Sequence, residues 1–178
     1  MNLLINALTM SRIIFAFFIF YLISIDQYFL SLILFIVASI SDYFDGYLAR
    51  KYNQVSDIGE ILDPIADKIL VLFIFFALSV NLNSYLLAFF ASVILTREIW
   101  VAALRDYNAR NNNINATKVT FLAKAKTTLQ MTTINLYLIG LSIDQSLILV
   151  ISDIFLILTA IITIKTGHDY TRKTFGKK

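Results

Sequence analysis

Cysteine is absent from all 178 residues, which excludes disulfides, thiolate catalysis and cysteine-ligated metals. One proline and five glycines are too few for the turns of a loop-rich β-sandwich. The lone histidine, His168, lies in a polar C-terminal tail and reads as a surface residue. Nowhere does the chain show the ten-residue alternation of an outer-membrane barrel. There is also no internal repeat, low-complexity segment or long linker, so residues 1–178 are read as a single domain.

What is present is apolar. Hydrophobic residues make up 58% of the chain and aromatics 14%, with a mean hydropathy of +0.75. A soluble domain is nearer 45–50% apolar, at roughly the usual composition. The excess points to a bilayer as solvent, where the backbone must satisfy its own hydrogen bonds and the spans are helices. A soluble all-helical protein is the alternative, and the recurrence of apolar runs along the whole chain argues against it. The fold class is therefore all-α integral membrane. Six transmembrane helices are expected at roughly 10–25, 28–50, 59–80, 84–105, 120–142 and 147–166, after a short N-terminal amphipathic helix at roughly 2–9. The N-terminus has no small-residue cleavage site, so it reads as a lead-in to the first span and not as a signal peptide.

Short turns (IDQ, NLNS and IDQS) link the spans on one side and carry no Lys or Arg. Alternating spans put all fifteen Lys and Arg on the opposite side. The positive-inside rule makes that side cytoplasmic, with both termini on it. A net charge of +3 suits a surface that meets anionic lipid head groups, and nothing points to a nucleic-acid partner.

The negative charge is concentrated. Of twelve acids, six fall within residues 42–67, DYFDGYLARKYNQVSDIGEILDPIAD, between two apolar runs. Asp42, Asp45, Gly46 and Ala49 share one face at the end of the second span, and Gly59, Asp63 and Asp67 share one at the start of the third. A short connection makes these helices antiparallel neighbours whose faces can oppose, bringing four carboxylates into one pocket. Carboxylates so placed repel unless some are protonated or a cation is bound. Oxygen-only ligands favour Mg²⁺ or Mn²⁺ over zinc, and four carboxylates allow a two-metal site of the kind that clamps both oxygens of a phosphoryl displacement. The bland alternative is a set of ion pairs, such as Asp67 with Lys68 or Arg50. Pro64 either kinks the third span or helps start it.

The pattern Asp42-x2-Asp45-Gly46-x2-Ala49-Arg50-x8-Gly59-x3-Asp63-x3-Asp67 resembles the complete signature of the CDP-alcohol phosphotransferases, with eight positions matched at fixed spacing. The resemblance implies a six-helix membrane fold, a homodimer, and transfer from a CDP-linked lipid to an alcohol with loss of CMP. Carried over, Asp42, Asp45, Asp63 and Asp67 hold two divalent cations, Mg²⁺ or Mn²⁺, and Asp67 is also the catalytic base. Gly46, Ala49, Arg50 and Gly59, with Asp42, line the CDP site. Thr9 and Arg12 match the N-terminal pattern and are candidates to touch the nucleotide or lipid head group, although Arg12 also suits an interfacial anchor.

Three further stretches, LTMSRIIFAFFIF, TREIWVAALRD and KAKTTLQM, resemble the bacterial phosphatidylglycerophosphate synthases within that family; the likeness is weakest in the last span and tail. This implies CDP-diacylglycerol as donor, sn-glycerol 3-phosphate as acceptor, and a site facing the cytoplasm at the bacterial inner membrane. The cations agree with an anionic acceptor. Arg97 and Arg105 lie about 80° apart around the fourth span, and Lys124 and Lys126 open the fifth. Arg offers phosphate a bidentate fork and Lys a point charge. The alternative is positive-inside anchoring, the role assigned to Arg110, Lys118 and the tail cations. Glu98 could pair with Arg97 and orient it, and Asp153 is read as a partner for a Thr or Tyr in the bundle. Phe15, Phe17, Phe18 and Phe20 read as packing or lipid-facing residues. Other acceptors for the same chemistry are serine, inositol phosphate or phosphatidylglycerol. Readings from other classes are a divalent-cation transporter and a catalytically dead scaffold.

Overall fold

A computed structural model describes residues 2–52, 57–111 and 121–176, with side chains described for 10–41, 62, 65–111, 122 and 125–176. These residues form six helices and no strand: α1 (Asn2–Ser24), α2 (Tyr28–Tyr52), α3 (Asp57–Asn81), α4 (Tyr85–Arg110), α5 (Phe121–Ser142) and α6 (Ser146–Phe175). Residues 2–9 do not form a separate amphipathic helix; they continue directly into the first expected span. No Gly or Pro interrupts residues 2–24, so nothing breaks the backbone ladder there. The last helix likewise runs about nine residues past the expected end of its span; Gly167 is carried inside it and the helix stops at Gly176.

The three turns of the cation-free side are built alike. Asp26, Asn83 and Asp144 each follow a helix with positive φ, at 59°, 47° and 52°. The next residue donates back across the turn in every case: Gln27 N to Leu22 O at 2.9 Å, Ser84 N to Ser79 O at 3.0 Å and Gln145 N to Gly140 O at 2.9 Å. This is a Schellman cap, and Asp and Asn are the non-glycine residues that best tolerate its left-handed position. The first two turns are also tied together. Asp26 accepts from the Tyr28 hydroxyl at 2.6 Å and from the Asn81 amide at 2.8 Å.

The helices close into a ring in the order α1, α3, α4, α6, α5, α2, with α3 also touching α5 across the middle. Among the described residues α2 packs on α1 and α5, and no contact between α2 and α3 is found. Chain neighbours are thus not always packing neighbours: α1 lies against both α2 and α3. Its buried Ala16, Ile19 and Ile23 meet Leu70, Ile74 and Leu78 of α3 in one core cluster. Phe17 and Phe20 pack edge-on against Phe73 with centroids 4.8 and 6.1 Å away.

The outside is as greasy as the inside. Phe17, Phe29, Phe76, Phe89, Leu147 and Ile161 are all more than half exposed. An exposed apolar belt of this extent suits lipid and not water. By length and composition, α4 and α6 each suffice to cross a membrane. Several polar groups between helices pair with each other. The Thr133 and Thr159 hydroxyls lie 3.2 Å apart, and Tyr137 donates to Asp153 at 2.5 Å, the kind of partner expected for that acid. Gly140 lets α6 approach α5 near their turn, since a Cβ there would stand 2.9 Å from Leu149 Cδ2.

Candidate active site

The cation-bearing ends of α3, α4 and α5 surround a cavity of about 470 Å³. Asp67 and Lys68 come from α3, Arg97, Glu98 and Arg105 from α4, and Lys126 from α5. One to two turns further in, the walls become apolar, with Val71, Phe75, Ile94 and Met131. Charge at one end and hydrocarbon at the other is the profile of a site for an amphiphilic anion.

Asp67 is a little over one-third exposed, and its carboxylate pairs with the Arg12 guanidinium of α1. Arg12 is wholly buried, so it is not an interfacial anchor. Arg12 is a partner for Asp67 that was not considered from the sequence, and the Arg50 side chain lies outside the described residues. A buried guanidinium facing one carboxylate fixes where that carboxylate points.

On the opposite wall, Glu98 joins two cations. Arg97 Nη1 lies 3.0 Å from Glu98 Oε1, and Lys126 Nζ contacts the same oxygen. Arg97 is 8% exposed and Lys126 5% exposed, so neither is a snorkelling surface cation. One carboxylate between two cations leaves net positive charge, to which Arg105 and Lys68 add. The Glu98–Arg97 pairing was legible as adjacency, whereas Glu98 and Lys126 are 28 residues apart and only folding joins them.

The last helix supports both arginines. Arg97 Nη2 donates to Thr166 Oγ1 at 2.8 Å, and the Arg97 stem runs over Gly167 so closely that a Cβ there would stand 2.9 Å from Arg97 Cγ. Arg105 Nη2 donates to the Tyr170 hydroxyl at 3.1 Å, and its guanidinium carbon lies 5.4 Å from the Tyr170 ring centroid. Thr166, Gly167 and Tyr170 were missed because this stretch reads as a polar tail. The available signal was the lack of any proline between residue 146 and Gly176. Gln130, which lines the same cavity, was missed as well.

Of the expected site residues, Asp67, Arg97, Arg105 and Lys126 thus share one cavity and Arg12 adjoins it through Asp67. The side chains of Thr9, Asp42, Asp45, Gly46, Ala49, Arg50, Gly59, Asp63 and Lys124 lie outside the described residues. Their backbones lie in α1 (Thr9), α2 (42–50), α3 (59 and 63) and α5 (Lys124). The α-helical backbone places Asp63 one turn before Asp67, and Asp42 about one turn before Asp45.

A carboxylate facing fixed cations over an apolar depth is an arrangement that suits an amphiphilic phosphate. The chain belongs to the CDP-alcohol phosphatidyltransferase family, whose profile matches residues 2–176. Three relatives bear the name CDP-diacylglycerol–glycerol-3-phosphate 3-phosphatidyltransferase. The one from Blochmanniella floridana is 42% identical over 99 residues, covering 56% of this chain and 52% of that protein. The one from Rickettsia bellii is 39% identical over 142 residues, 79% of this chain and 76% of its own length. The Escherichia coli K12 protein is 36% identical over 127 residues, 70% of either chain. The match thus spans about half the length of the first relative and about three quarters of the second. Membership in this family sets aside the cation-transporter reading.

Proposed function

We propose that this membrane protein transfers the phosphatidyl group of CDP-diacylglycerol to sn-glycerol 3-phosphate, giving phosphatidylglycerophosphate and CMP. The observation that carries this reading is the single cavity shared by Asp67, Arg97, Arg105 and Lys126. The names of relatives 36–42% identical support the same donor and acceptor.

The chain's own residues divide the work. Arg97, Arg105 and Lys126, with Lys124, hold the acceptor's phosphate, the arginines by bidentate forks. Asp67, aimed by Arg12, accepts the proton of the acceptor hydroxyl as its oxygen bonds to the lipid-linked phosphorus and the bond to CMP breaks. An aspartate is a weak base at its usual pKa, so position within hydrogen-bond reach matters more than basicity. The apolar depth receives the hydrocarbon side of the donor.

An all-oxygen donor set fits a hard cation: Asp67 opens to the cavity, α3 carries Asp63 one turn before it, and α2 carries Asp42 and Asp45 about one turn apart. Asp42, Asp45, Asp63 and Asp67 would hold two ions, Mg²⁺ or Mn²⁺, which supply neutralisation of the diphosphate when bound. Gly46, Ala49, Arg50 and Gly59, with Asp42, would border the nucleotide, and Thr9 lies on the helix that leads to them. All six helices would span the bacterial inner membrane as one domain, with both termini and the site cytoplasmic and the protein working as a homodimer. The placement of all fifteen Lys and Arg on one side supports this orientation.

The test is CMP release by purified protein from CDP-diacylglycerol with Mg²⁺ or Mn²⁺, with and without glycerol 3-phosphate, beside Asp67→Asn. Release that requires glycerol 3-phosphate and vanishes in the variant is the expected result. Release only with serine, inositol phosphate or phosphatidylglycerol would overturn the acceptor, and no release with any alcohol would overturn the reaction.

A further inference from the structure

Gln130 is 4% exposed and lines the cavity, yet its Nε2 has no hydrogen-bond partner. A buried amide left unpaired is costly, and such groups are rare in folded proteins unless a ligand or water completes them. Nothing in packing requires an amide here, since its cavity neighbours Val71, Phe75, Ile94 and Met131 are apolar. The group is therefore placed to meet an uncharged oxygen of a bound substrate.

Position narrows which oxygen. Gln130 follows Lys126 by one helical turn, a rise of about 6 Å toward the apolar end. At the charged end of the same cavity Lys126 and Arg105 stand ready for a phosphate, and Arg97 Nε, packed on Gly167, takes no part in it. Cations at one end and an unfilled donor a turn deeper match a small molecule with phosphate at one end and a hydroxyl a few ångströms along. Resting on the reaction proposed above, the acceptor is such a molecule, and it carries one hydroxyl that reacts and one that does not.

We propose that Gln130 binds the non-reacting middle hydroxyl of the acceptor and so determines specificity for a glycerol phosphate over a deoxy analogue. A site built to pair with a hydroxyl rejects the analogue lacking it, because the protein's own group is then left unpaired. A simple apolar pocket could not discriminate in this way.

The experiment compares glycerol 3-phosphate with 3-hydroxypropyl phosphate, which keeps the terminal hydroxyl and the phosphate but lacks the middle hydroxyl. The readout is the ratio of kcat/KM for the two acceptors. Wild-type protein is expected to prefer glycerol 3-phosphate by roughly tenfold or more, the scale of one hydrogen bond to a buried partner. In Gln130→Met, which keeps length and removes the amide, the ratio falls to near one. Gln130→Asn, which withdraws the amide by one methylene, gives an intermediate ratio and decides the matter alone if the Met variant does not fold. A ratio unchanged by either substitution overturns the inference while leaving the reaction intact. An altered KM for CDP-diacylglycerol with an unchanged acceptor ratio also overturns it, and moves Gln130 to the donor. Wild-type protein that releases no CMP with either acceptor fails at the reaction itself, and the inference falls with it.

Discussion

Replacing Gly167 with alanine tests whether the last helix sets the position of Arg97. The added Cβ would stand 2.9 Å from Arg97 Cγ, 3.4 Å from Nε and 3.7 Å from Cδ. Ordinary carbon contacts begin near 3.5 Å, so the stem must move by about half an ångström or more. It has little freedom to do so, because the head is held by Thr166 at 2.8 Å and Glu98 at 3.0 Å and the side chain is 8% exposed. Overpacking of this kind costs about 1–3 kcal/mol. Alanine in a helix regains about 1 kcal/mol over glycine, so the net stability change is small, between roughly 0 and 2 kcal/mol. The effect on function is larger in proportion. A displaced guanidinium loses its alignment with the acceptor's phosphate, and about tenfold in KM for glycerol 3-phosphate corresponds to about 1.4 kcal/mol of lost alignment. The assay is steady-state CMP release across acceptor concentrations, paired with thermal melting in detergent. The expected result is a raised acceptor KM with a nearly unchanged melting temperature and unchanged KM for CDP-diacylglycerol. Gly167→Ala with wild-type KM would refute the claim that this glycine seats Arg97.

Three other perturbations follow from the same contacts. Glu98→Gln leaves Arg97 and Lys126 facing each other without their shared carboxylate, and should destabilise the fold by about 3 kcal/mol, with partial recovery when Lys126→Met is added; melting in detergent checks both. Tyr137→Phe leaves Asp153 without its interhelical donor, and should cost about 1 kcal/mol in unfolding while sparing catalysis, since this pair lines no part of the cavity. Hydrogen bonds from Tyr28, then Asn81, hold the Asp26 carboxyl below its ordinary value of 3.8, so its contribution is full above that value and is lost as pH falls through the lowered one. The difference in melting temperature between wild type and Asp26→Asn should therefore be constant from neutral pH to about 5 and shrink in stronger acid, asparagine being able to keep the left-handed turn.

The helices were legible because their causes are local. Apolar runs and an Asp or Asn at each far-side turn mark nine of the twelve helix ends to within two residues. The ends that were misjudged are those where polarity changes before the helix stops, at residues 2–9, 106–110 and 167–175. Lipid solvation makes a hydropathy change resemble a helix end, but a helix ends only where its hydrogen bonds do.

The sequence by itself determined the chemical types that the cavity brings together: Asp67 of α3 and the cations Arg97, Arg105 and Lys126 of α4 and α5. Spacing along one helix carries that information because residues three, four and seven apart share a face. Only the tertiary structure decided their partners. Arg12 reaches Asp67 across 55 residues, Glu98 takes Lys126 as well as Arg97, and α6 brings Thr166, Gly167 and Tyr170 beneath two arginines. The order of helices around the ring, with α1 against both α2 and α3, is equally invisible in the chain. Ring order depends on which apolar faces fit together, and inside a lipid-like solvent all of those faces look alike until they pack.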